Sequence, residues 1–117
     1  MGQVIVGNIL LLFFSIYVGI FFKKFHSTYP NMDIGFHIWE VCYSKECWLY
    51  GNKLAGNIAI SLGLILFGLI FPLLMVFLDM KREYFVGLLA IFVIIHLIFL
   101  LVFVKIFMHK KFTYKTK

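Results

Sequence analysis

Acidic side chains are scarce. Asp33, Glu40, Glu46, Asp79 and Glu83 are the five carboxylates, and none falls inside the long apolar runs. No paired carboxylates, nucleophile–base pair or Gly-rich phosphate loop appears among them. Asp33 and Glu40 beside His37 are the one set with acid–base potential, but solvated loop charges are the commoner outcome, so no enzyme is expected. Cysteine is equally sparse, with Cys42 and Cys47 the only two. His26, His37, Cys42 and Cys47 lack the ligand pairs two to four residues apart that structural zinc sites favour, and neither a metal nor a cofactor is expected. A bridge between the two thiols would need an oxidising compartment. Of the two prolines, Pro72 lies inside an apolar run and predicts a kink there.

What the chain has in abundance is hydrophobe: 63% of its residues, with only 14% charged and a mean hydropathy of +1.02. Such values belong to membrane proteins. Residues 4–22 and 58–78 carry no charge, and residues 84–104 hold only His96 as an ionisable group. Each run meets the requirement of about 20 apolar residues for a bilayer span. The expected fold is an all-α membrane protein of one domain, 1–117. It has three transmembrane helices, a connecting loop with an interfacial helix over 23–57, and a basic tail over 105–117.

The first run is not expected to be a cleaved leader, because Met1-Gly2-Gln3 has no basic residue and no small-x-small site follows. Val6 stands where a myristoylation signal wants Ser or Thr. Three spans put the 23–57 connection and the tail on one side. That side carries nine lysines, against Lys81 and Arg82 on the other. Basic loops stay cytoplasmic, which predicts an outer N-terminus, a cytoplasmic C-terminus and residence in a bacterial cytoplasmic membrane. The net charge of +6 then serves anionic headgroups, and nucleic acid is not an expected partner.

Helical periodicity sorts the spans into faces. With Ser44 as N-cap and Glu46 in the first turn, a helix can run without interruption into the second span. Trp48, Asn52, Ala55, Gly56, Ala59 and Gly63 then share one arc about 100° wide, the small-residue stripe that membrane helix interfaces use. Trp48 is expected at headgroup depth. Asn8, Ser15 and Gly19 share a face of the first span. In the third, Gly87 and His96 lie about 180° apart, so both faces ask for protein, from a second copy or another membrane protein. His96 has two open readings: an intramembrane functional group, or an imidazole bonded to Asn8, Ser15, Ser61 or a backbone carbonyl.

One polar passage interrupts the hydrophobe: Tyr29 to His37, then Ser44 to Trp48, then Gly51 to Asn57. Its Pro30-Asn31, Gly35-Phe36, Ser44-Lys45-Glu46, Trp48 and Asn52-Lys53-Leu54-Ala55-Gly56, in that order ahead of a span, resemble the signature of the SdpI/YfhL family of bacterial membrane proteins. That signature is Pro-Asn, Gly-Tyr/Phe-Arg-Thr, Ser-x-Glu-x-Trp and Ala-Asn-x-x-Ala-Gly. The resemblance is to the family's C-terminal module, and His37 stands where the family has Arg. It implies an immunity activity against a secreted, membrane-damaging toxin peptide, in one branch joined to signalling through a bound repressor. The binding residues it implies are Pro30, Asn31, Gly35, Phe36, His37, Glu46, Trp48, Asn52 and Gly56. The same residues could instead simply stabilise a re-entrant connection. An accessory subunit of a larger membrane complex is the competing reading. The bilayer, a toxin peptide or membrane protein, and a homo-oligomer are the expected partners.

Overall fold

The computed structural model describes residues 2–114. Its elements in chain order are α1 (Gly2–Lys24), α2 (Trp39–Cys42), α3 (Lys45–Ile65), a π-helical segment (Leu66–Ile70), α4 (Phe71–Phe77) and α5 (Arg82–Lys111). No strand occurs among the described residues, and α3 through α4 form one continuous rod, Lys45–Phe77. That rod, α1 and α5 are the three helices long and apolar enough to cross a membrane. The protein is therefore an all-α, three-span membrane protein.

The rod is the centre of the bundle, and α1 packs chiefly on it while touching α5 sparsely. Asn8, Ser15 and Gly19, the expected face of α1, are buried in its seam, and Val4 joins them. Across it, Gly19 meets Gly56 so closely that a methyl group on Gly19 would lie 2.7 Å from the Gly56 carbonyl. Here glycine is a steric requirement. Further along, the Ser15 hydroxyl fills the space beside Gly63. Helix α5 runs antiparallel to α3 and buries His96, Leu100, Val104 and Met108 at one-turn intervals.

Where a kink was expected at Pro72, the rod has a π turn just before it. Phe71 N–H bonds the Leu66 carbonyl, and Pro72 has no N–H to offer. The Phe67 carbonyl is thus left without a donor in its own helix. Asn8 Nδ2 supplies one at 2.8 Å.

As expected of a Ser44 cap, helix begins at Lys45 and runs without interruption into the second apolar run. Helix α5 continues beyond the apolar run 84–104 to Lys111, and Phe112 to Tyr114 are the described residues after it. Lys115 and Lys117 lie outside the described residues. Ser15 and His96, near the middles of α1 and α5, meet the rod at Ala59 to Gly63, ahead of the centre of the charge-free run 58–78.

Candidate functional site

The connection folds against the first turns of α3. Ser27 ties its neck: its N–H bonds the Ile34 carbonyl at 2.8 Å, and its Oγ accepts from Ile34 N–H at 2.9 Å. Ser44 caps α3, its Oγ accepting from Cys47 N–H at 3.2 Å, as expected of that residue type. Asn52 is the central fastener. Its Oδ1 accepts from Phe36 N–H and its Nδ2 donates to the Trp48 carbonyl, both at 2.8 Å. Buried amides are worth their desolvation only when satisfied in this way.

Gly35 makes the close approach possible. Its φ of +146° is open to glycine and strained for other residues, and a Cβ there would lie 2.6 Å from Asn52 Oδ1 and 2.7 Å from the Trp48 ring. Phe36 then turns inward onto the edge of Phe22, with centroids 5.5 Å apart. Trp48 is fully buried and donates through Nε1 to the Ser27 carbonyl at 2.7 Å. Within the protein its indole therefore faces the loop and not headgroups. It is a post for the loop, flanked edge-on by His26 and His37; Trp39, 54% exposed, is the outward-facing tryptophan.

Gly35, Phe36, His37, Trp48 and Asn52 thus converge, while Gly56 belongs to the α1 seam. Pro30, Asn31 and Glu46 stay exposed, Pro30 following a cis peptide. His37 is exposed with both ring nitrogens facing carbonyls, those of Gly35 and Met32. The position asks for donors, a demand that a guanidinium also meets.

A second cluster lies beyond what the sequence led us to expect. Glu40, expected as a solvated loop charge, is 2% exposed, and its Oε2 meets His109 Nε2 at 3.0 Å and Lys105 Nζ at 3.5 Å. Its Oε1 is buried with no partner among the described residues. The Tyr114 hydroxyl donates to the Glu40 carbonyl at 2.8 Å. Burial, and then the contact with Cys47, pushes that phenol above the ordinary tyrosine range. Burial likewise raises Cys42; both cysteines are free thiols. Lys105 and His109, one turn apart on α5, were the sequence signal for a carboxylate partner, but nothing local linked them to Glu40.

His96 takes the backbone option among its expected partners, with Nε2 3.0 Å from the Ala59 carbonyl. It lines an apolar groove of about 430 Å³ between α1 and α5, closed at the loop end by Phe22 and Phe36. No protein family, curated protein or solved structure was found to match this chain. The likeness to the SdpI/YfhL signature rests on the motif residues themselves.

Proposed function

We propose that this chain is a non-enzymatic binding protein of the bacterial cytoplasmic membrane, of the SdpI-like immunity type, protecting its cell against a membrane-active toxin peptide. One observation carries the reading: the core of the motif closes into a single docked unit through the Phe36–Asn52 bond. That fastening leaves Pro30, Asn31 and His37 outward on a fixed support, which supports reading them as a recognition surface. Function placed on loops held by a rigid scaffold is the usual arrangement for binding. The lysine bias supports a cytoplasmic place for this surface, with the N-terminus outside. From there a bound partner could also relay a signal.

The test is a deletion strain exposed to peptides secreted by itself and its siblings. Sensitisation that the wild-type gene reverses and Asn52→Ala does not is the expected result; unchanged sensitivity of the deletion strain contradicts the reading. The accessory-subunit alternative draws on a separate observation: Gly87 is exposed, and a methyl group added there would meet nothing within 4 Å. A stoichiometric foreign partner recovered from native membranes would favour it.

A further inference from the structure

The groove between α1 and α5 has an unfilled chemical demand. His96 is 7% exposed, and its Nε2 faces a carbonyl, which only accepts, so Nε2 carries the proton of the neutral ring. Nδ1 is then a bare acceptor. No group among the described residues donates to it. The atom is not sealed in the protein but opens on the groove, and within an apolar span a polar atom that faces hydrocarbon with no donor is costly.

The walls have a definite form. Phe14, Val18 and Phe22 rise from α1, and Val93, Leu97 and Leu101 from α5, each set at intervals of four residues. Two such ridges enclose a furrow into which a third helix's four-residue ridge packs. A lipid acyl chain would fill the volume but bring no donor to this depth. A two-fold pairing of groove with groove would set one His96 acceptor against another.

The rod carries the complementary ridge on its opposite face. Lys53, Asn57, Ser61 and Ile65 are four residues apart and all exposed. Neither Asn57 nor Ser61 makes a side-chain hydrogen bond among the described residues, although both are surrounded by membrane-grade hydrophobe. Ser61 is two residues from Ala59, whose carbonyl holds His96, so Ser61 and His96 differ in depth by only about 3 Å. Copies inserted in the same orientation keep their depths. Ser61 of one copy therefore arrives level with His96 of the next.

We propose that the α1–α5 groove is a self-association site that receives the outward ridge of α3 from a second copy, with the partner subunit's Ser61 donating to His96 Nδ1. The interface is head-to-tail, the polar ridge of each copy seated in the furrow of its neighbour. Small and hydroxyl-bearing residues are what membrane helix interfaces select. Self-association needs no toxin and stands apart from the immunity reading.

Two differently tagged copies, both Cys42→Ser, test it in native membranes: one carries Ser61→Cys, the other Leu97→Cys, and a membrane-permeant oxidant is added. Disulfide-linked dimers from the mixed pair and none from either variant alone are the expected result. Linkage of Ser61→Cys to itself would show a two-fold contact between rods and overturn the proposal. So would the lack of any link when both variants insert at wild-type levels, the result for a groove filled by lipid. In gentle detergent, Ser61→Ala should shift the balance toward monomer about threefold while Ser61→Thr does not; equal behaviour of the two would equally contradict the hydroxyl's role.

Discussion

The Asn8 carboxamide reaches across the bundle to the Phe67 carbonyl at 2.8 Å, the acceptor that Pro72 and the π turn release. A proline deep in a span and an asparagine in another are thus one device, each answering for the other's cost. Replacing Asn8 with Leu should destabilise the bundle by about 1 kcal/mol. Pro72→Ala restores an N–H and should reduce that loss in the double variant. A double-mutant cycle on resistance to detergent unfolding measures the coupling; strict additivity would show that the two sites are independent.

Removing the glycine at the loop's closest approach should open the docked unit. In Gly35→Ala the new methyl meets Asn52 and Trp48 in a backbone region that costs about 1–3 kcal/mol for other residues. Hydrogen exchange at the Phe36 amide should accelerate roughly 5- to 30-fold, and Asn52→Ala should do the same by deleting the acceptor.

The scaffold was legible where periodicity governs. The buried face of α1 and the stripe from Trp48 to Gly63 follow from 3.6-residue spacing, and Ser44 behaves as a cap because its short hydroxyl reaches the first free N–H groups. What the chain alone did not reveal was pairing at a distance. Glu40 meets Lys105 and His109 only because α5 returns to the loop, and the burial of Trp48 beneath that loop was hidden because an indole suits lipid headgroups as well as a buried carbonyl. Ser15 and His96 meet the rod ahead of the centre of its charge-free run for the same reason: loss of charge marks where lipid is tolerated and does not say where neighbouring helices pack.

The Glu40 cluster gives an asymmetric expectation. Lys105→Met with His109→Leu strands a buried carboxylate and should cost about 3 kcal/mol or more. Adding Glu40→Leu should recover much of it. Thermal unfolding in detergent ranks both variants against the wild type, and a triple variant no better than the double would remove the ion cluster from the account.

Tyr114 sets an alkaline limit. Its folded pKa lies above the unfolded one, so its contribution to stability is complete below the ordinary tyrosine value and is lost as pH rises from there toward the folded pKa. Melting temperature should fall more steeply above about pH 10 in the wild type than in Tyr114→Phe. Parallel curves would mean that the phenol is not confined beneath Glu40.

The central claim is that the motif-bearing connection is fastened to α3 on the cytoplasmic face of a three-span protein. Labelling of Asn31→Cys, in a Cys42→Ser background, with a membrane-impermeant maleimide tests it most directly. The account predicts no labelling in intact cells and full labelling in inverted membrane vesicles; labelling in intact cells would contradict it.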